Sequence, residues 1–77
     1  MELVKNLSYI EICKKFNNKK IHFTSDCEFF PNFDVKVYIY DINLGNNNEI
    51  IFKTKNLSNH KELIIGSNMK NLQYEYI

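Results

Sequence analysis

The stretch that decides the fold is Val35-Lys36-Val37-Tyr38-Ile39-Tyr40-Asp41-Ile42, followed by Asn43-Leu44-Gly45-Asn46-Asn47-Asn48 and then Glu49-Ile50-Ile51-Phe52-Lys53-Thr54-Lys55. Two segments rich in Val, Ile, Tyr, Phe and Thr flank a cluster of Asn and Gly, which is the pattern of two strands and their turn. The sequence therefore predicts a β-hairpin with strands over 34–42 and 49–55.

The first hairpin strand has two different faces. Alternation places only aliphatic side chains on one face, which is typical of a core. The other face carries Tyr38, Tyr40 and Ile42 instead of a row of charges. Three uses of the tyrosines stay open at this point: the helix covers them, they pair in a homodimer, or they bind a partner.

A short helix is predicted before the hairpin, over about 8–16. Ser8 and Glu11 have the spacing of a capping box, in which each side chain bonds to the backbone N–H of the other residue. The apolar positions then follow the 3, 4 spacing of one helical stripe. These positions are Tyr9, Ile12, Cys13 and Phe16.

Period-two patterns predict two further strands, over 20–25 and 71–77, and a short strand over 62–66 is predicted before the turn signal at Gly66. The fold class is therefore α+β: one short N-terminal helix followed by a four- or five-stranded antiparallel sheet, either open or curled into a small barrel. The order of elements resembles that of Sm-like barrels, although the glycine of that family's second strand and its turn residues are missing here. We expect 1–77 to form a single domain.

The composition sets limits on the class of protein. A net charge of +1 with 25% charged residues gives neither a strongly basic nor a strongly acidic chain, and the sequence contains no Arg. No apolar run approaches the length of a membrane span, about 20 residues, and the first residues lack the pattern of a signal peptide. We therefore expect a cytoplasmic protein with reduced thiols and no membrane partner.

The sequence contains no catalytic, metal or cofactor motif. Cys27 lies between Asp26 and Glu28, and neighbouring negative charge disfavours the thiolate that a nucleophile needs. The cysteines and histidines do not have the paired spacing of structural zinc sites. Because the chain has two glycines in all, it has no glycine-rich phosphate loop. The sequence therefore predicts no enzyme, no metal and no cofactor.

An acidic aromatic loop is the first candidate binding site. Asp26, Glu28 and Asp34 alternate with phenylalanines, including Phe29 and Phe30. A few aromatic side chains commonly carry most of the binding energy of an interface, and the carboxylates suit a basic partner surface. The alternative is that the phenylalanines complete the core and the acids are ordinary loop residues.

A lysine cluster is the second candidate. Lys14, Lys15, Lys19 and Lys20 lie within seven residues and could hold a phosphate backbone beside the tyrosines. The alternative is a solvated helix end, where lysines suit the helix dipole.

The leading hypothesis is a small non-enzymatic protein-binding module that acts by steric occlusion of a larger partner. Its size and style resemble the accessory proteins of phages and mobile elements, of which anti-CRISPR inhibitors are one class. The proposed contacts are Asp26, Glu28, Phe29, Phe30, Asp34, Tyr38 and Tyr40. The alternative is a small nucleic-acid-binding barrel that uses the lysine cluster and exposed tyrosines. A homodimer through the C-terminal edge strand, 72–77, is a third hypothesis.

Overall fold

The computed structural model of the chain describes residues 1–26 and 32–77. We number the strands and the α-helix in chain order. The elements are β1 (Glu2–Leu3), a 3-10 turn (Val4–Asn6), α1 (Tyr9–Phe16), β2 (Lys20–Ser25), β3 (Phe33–Leu44), a 3-10 turn (Asn46–Asn48), β4 (Ile50–Asn56), β5 (Glu62–Gly66) and β6 (Gln73–Tyr76).

The strands form one antiparallel sheet in the order β1-β6-β2-β3-β4-β5. The predicted α+β class is confirmed. The sheet has six strands rather than four or five, because the two residues of β1 add a strand too short to show any periodicity. The sheet is open, with β1 and β5 at its edges, so the barrel alternative was wrong.

The helix begins and ends as its sequence predicts. The Glu11 N–H donates to Ser8 Oγ at 3.2 Å and the Ser8 N–H donates to Glu11 Oε1 at 3.3 Å, which completes the capping box. After Phe16 the chain turns through Asn18, whose φ of 60° is tolerated better by asparagine than by most residues. The chain then enters β2.

The helix covers the aliphatic face of the sheet. Ile12 and Phe16 are fully buried, and the Phe16 ring packs against the rings of Phe23, Phe52 and Tyr74, with centroid distances of 6.2, 5.7 and 4.6 Å. These rings pack together with buried aliphatic side chains in one core between the helix and the sheet. The helix therefore does not cover the tyrosine face, and that alternative was wrong.

A β-bulge interrupts β3. The pairing with β4 shifts between Ile39 and Asp41, so Tyr40 is an extra residue on its strand. The bulge reverses the alternation beyond it, and Ile42 turns into the core with 9% of its surface exposed. The prediction that Ile42 shares a face with Tyr38 and Tyr40 was wrong for this reason.

The C-terminal strand β6 is not an edge strand along its whole length. Glu2 and Leu3 of β1 pair with Tyr74 and Gln73 on one side, and β2 pairs with the other side. The prediction that residues 72–77 form an edge was therefore wrong for the first half of the strand.

In the part of the chain that the structure describes, none of the helices has the length and apolar character that a membrane span requires.

Candidate functional site

The sheet surface opposite α1 carries the tyrosines, and we call it the open face. Along each strand the side chains of the open face alternate with buried ones, and they are exposed or half-buried. The helix α1 lies on the opposite side of the sheet. The central residues of the open face are Lys20 and His22 on β2, Asp34, Lys36, Tyr38 and Tyr40 on β3, Lys53 and Lys55 on β4, Glu62 and Ile64 on β5, and Glu75 on β6.

The side chain of Tyr40 reaches across the neighbouring strand. Its hydroxyl donates a hydrogen bond of 3.2 Å to Oε1 of Glu62, although β4 separates the two strands that carry them. Because neighbouring strands are about 4.8 Å apart, the ring must lean across β4 to reach Glu62. The ring therefore lies over β4 and is half-buried on the open face. Desolvation, followed by the Glu62 carboxylate, raises the pKa of Tyr40, which keeps the hydroxyl a donor.

Tyr38 leans the opposite way. Its hydroxyl donates to Oδ1 of Asn18 at 3.2 Å. The chain just before β2 is fixed there by backbone bonds, since the Asn18 N–H donates to the Ile39 carbonyl at 2.9 Å and the Ile39 N–H donates to the Lys19 carbonyl at 3.0 Å. The tyrosine platform, defined as Tyr38 and Tyr40, is therefore two rings anchored at their hydroxyl ends and spread to either side of β3.

Three lysines surround Tyr38. Lys20 on β2 and Lys55 on β4 are its direct cross-strand partners, so their Cβ atoms lie about 5 Å from that of Tyr38. Lys36 is on the same face two residues earlier along β3. Among the described residues, none of the three forms an ion pair within 4 Å. Their ammonium groups are therefore available to an anionic ligand next to the ring.

Two carboxylates of the open face are held by His22. Its Nε2 lies 2.6 Å from Oδ1 of Asp34, and its Nδ1 lies 2.8 Å from Oε1 of Glu75. A neutral imidazole has one N–H and would face one carboxylate with a lone pair, whereas the imidazolium donates to both. The hydrogen bonds to Glu75 and then to Asp34 therefore raise the pKa of His22, against a smaller opposing effect of burial. This cluster joins β2, β3 and β6 on the open face.

The acidic half of the first predicted site lies apart from the tyrosines. Asp34 is bound to His22 and is four residues from Tyr38, or about 13 Å along the strand. Asp26 is at the end of β2, where its carboxylate accepts from Asn71 Nδ2 at 3.2 Å. The remaining residues of that prediction lie outside the described residues; they are Glu28, Phe29 and Phe30.

The predicted lysine cluster is divided by the sheet. Lys20 is beside Tyr38, but Lys14 and Lys15 are on α1, on the other side of the sheet. Sequence reasoning missed Lys36 and Lys55. The signal for Lys36 was its spacing of two from Tyr38, which places both on one face of a strand; Lys55 required the hairpin register, because its place opposite Tyr38 depends on where the bulge falls.

No group of three or more His, Cys, Asp or Glu side chains is arranged to hold a metal ion in residues 1–26 and 32–77. In the same part of the chain Cys13 is a free, half-buried thiol. Comparison of the chain with protein-family models, with curated proteins and with solved structures finds no match in any of the three.

Proposed function

We propose that the protein binds single-stranded nucleic acid on the open face. In this proposal bases stack on the tyrosine platform, and Lys20, Lys36 and Lys55 contact the backbone phosphates. The observation that carries it is the combination of two anchored aromatic rings with lysines beside Tyr38 that form no ion pair within residues 1–26 and 32–77.

The anchored rings suit base stacking. Stacking of a base on an aromatic side chain is worth about 1–3 kcal/mol per base and tolerates any sequence. The hydrogen bonds of Tyr38 and Tyr40 hold the rings before a ligand arrives, so less side-chain entropy is lost on binding. The bases must be unstacked to reach the platform, which favours a single strand over a duplex.

The lysines favour contacts to phosphate that do not depend on sequence. A lysine ammonium acts as a point charge, and the two-pronged recognition of guanine or phosphate by arginine is absent from a chain without Arg. The carboxylates of Asp34 and Glu75 face His22 rather than the platform, so protonation of His22 offsets part of their charge. We therefore expect modest affinity, little sequence preference and a strong dependence on salt.

Steric occlusion of a protein partner is the second candidate function, in the manner of a phage or mobile-element inhibitor. The observation that favours it is the exposed Ile64, 57% accessible, on the same face as Tyr40 and Glu62. Tyrosine with nearby apolar and charged groups of both signs is common at interfaces. The lysines beside the tyrosines suit an acidic partner surface, whereas the acidic loop suits a basic one.

Chemical-shift mapping tests the proposed function. Unlabelled oligothymidylate is added to 15N-labelled protein at low salt, and a duplex of equal length serves as the control ligand. The proposal predicts that the shifted amides lie on β2, β3 and β4 around Tyr38, while those of α1 stay in place. Shifts confined to α1, or larger shifts with the duplex, would contradict it. A negative titration would favour the protein-occlusion candidate.

A further inference from the structure

The outer edge of β5 is an unprotected sheet edge. β5 consists of Glu62, Leu63, Ile64, Ile65 and Gly66, and it pairs with β4 on one side without a register shift. On its other side it is the last strand of the sheet. Protein edges are commonly blunted by proline, lysine or a bulge; β5 has none of these three, although it is short and carries Glu62.

Two backbone hydrogen bonds, one at each end of the pairing between β4 and β5, show which β5 residues turn their N–H and C=O groups toward β4 and which turn them away. The Asn56 N–H donates to the Lys61 carbonyl at 2.9 Å, and the Ser67 N–H donates to the Ile50 carbonyl at 2.9 Å. Bonded and non-bonded pairs alternate in an antiparallel ladder, and counting inward by two residues from either end gives the same alternation. The residues that turn their N–H and C=O groups away from β4 are Glu62, Ile64 and Gly66.

The backbone N–H and C=O groups that point away from β4 form few hydrogen bonds within the described chain. The Gly66 carbonyl accepts from the Met69 N–H at 3.3 Å, while the outward backbone groups of Glu62 and Ile64 have no backbone partner in the described chain. The Ile64 side chain is 57% exposed on the open face. The edge therefore offers both backbone hydrogen bonds and an apolar contact.

We propose that β5 pairs with β5 of a second copy of this chain, antiparallel about a two-fold axis at Ile64. In this register Ile64 faces Ile64 of the partner subunit as a bonded pair, with two N–H to C=O bonds between them. Glu62 faces Gly66 of the partner subunit, and Leu63 faces Ile65 of the partner subunit. Every outward-facing residue of one strand then meets an outward-facing residue of the other.

The occupant is a second copy because the edge is complementary to itself. A two-fold axis at Ile64 matches donors to acceptors on both chains at once, which an isologous interface requires. It also places the two exposed isoleucine side chains side by side on the open face. The two six-stranded sheets then form a single sheet of twelve strands, with one tyrosine platform on either side of the new interface. The inference does not depend on what the platform binds.

Sedimentation velocity over a range from micromolar to millimolar protein tests the proposal. The expected result is a rise from monomer to dimer mass with concentration. The Ile64→Lys variant places a charge at the centre of the pair and should remain monomeric. Its matched control is Ile10→Lys, at a helix position that is 67% exposed, which should dimerise as the wild type does. A monomer mass at all wild-type concentrations, or an unchanged dimer in Ile64→Lys, would overturn the proposal.

Amide hydrogen exchange separates β5 pairing from other modes of association, and it needs no substitution. The Ile64 N–H points away from β4, so it should become protected only as the dimer forms. The Leu63 and Ile65 N–H groups already bond to β4 and should be protected at every concentration. A concentration-dependent mass without new protection of Ile64 would show that another surface associates, which contradicts the proposal.

Discussion

The hydroxyl of Tyr40 donates a 3.2 Å hydrogen bond to Glu62 across the strand that lies between them. This bond has a structural consequence beyond its own energy, because it holds the ring over β4. The same arrangement on the other side joins Tyr38 to Asn18. The open face thus carries two half-buried rings that are anchored at their hydroxyls, next to lysines that have no ion-pair partner among the described residues.

Removal of the Tyr40 hydroxyl tests whether the anchored ring matters. Tyr40→Phe keeps the aromatic face and loses the bond to Glu62. We expect binding of an oligonucleotide to weaken about two- to tenfold, the cost of immobilising one free side chain. Fluorescence anisotropy with a labelled oligonucleotide measures the change. Tyr9→Phe, which removes a hydroxyl from α1 on the other side of the sheet, should bind as the wild type does; equal losses in both variants would argue against the platform.

Substitution of the platform lysines should change the salt dependence of binding. In the Lys20→Gln/Lys55→Gln double variant two phosphate contacts are lost. The slope of log affinity against log salt should therefore decrease in magnitude by about 1.4, at about 0.7 per contact for a single strand. Lys14→Gln/Lys15→Gln removes the same charge from α1 and should leave the slope unchanged. A smaller slope in Lys14→Gln/Lys15→Gln, with an unchanged slope in Lys20→Gln/Lys55→Gln, would show instead that the helix contacts the phosphates.

The His22 cluster should make stability depend on pH. The pKa of His22 is raised in the folded protein from the ordinary value of 6.5. The stabilisation of the folded state by protonated His22 is therefore complete below pH 6.5 and is lost as the pH rises through the pKa of the folded protein. The free energy of unfolding, measured by urea denaturation between pH 5 and pH 9, should fall over this range. His22→Gln should flatten that decrease. A His60→Gln control, at an exposed turn, should retain it, and a wild-type profile that rises with pH would contradict the assignment.

The capping box should contribute measurably to the stability of α1. Ser8→Ala leaves the Glu11 N–H without its side-chain acceptor, and we expect a loss of about 1 kcal/mol in the free energy of unfolding. Urea denaturation monitored by circular dichroism gives the value. Ser58→Ala, in an exposed turn, is the matched control and should change stability little. An equal loss in the two variants would show that the cap contributes nothing specific.

Local patterns in the sequence predict most of the elements. The capping box predicted the start of α1. Period-two alternation predicted β2, and the turn signal at Gly66 predicted where β5 ends, so both strands have the expected bounds. The bulge at Tyr40 could not be predicted, because no glycine or other local signal marks it. Its consequence is the burial of Ile42, which local alternation assigns to the open face.

The candidate site was only partly predictable, because it is assembled from distant strands. Tyr38 and Tyr40 stand out in the sequence of one strand. Lys20 and Lys55 come beside Tyr38 only through the pairing of β2 and β4 with β3. In the sequence, the neighbouring lysines between Lys14 and Lys20 indicate one basic cluster. The fold places Lys15 on α1 and Lys20 on β2, on opposite sides of the sheet, so they do not form one cluster.

The most direct test of the account is the affinity of Tyr38→Leu for a short single-stranded oligonucleotide, measured by fluorescence anisotropy at low salt. Leucine keeps an apolar side chain but offers no ring for stacking. The account predicts a loss of about 1–3 kcal/mol in binding free energy, with thermal unfolding still cooperative and with Tyr9→Leu unchanged in affinity. A folded Tyr38→Leu protein that binds as tightly as the wild type would contradict the claim that the tyrosine platform is the binding surface.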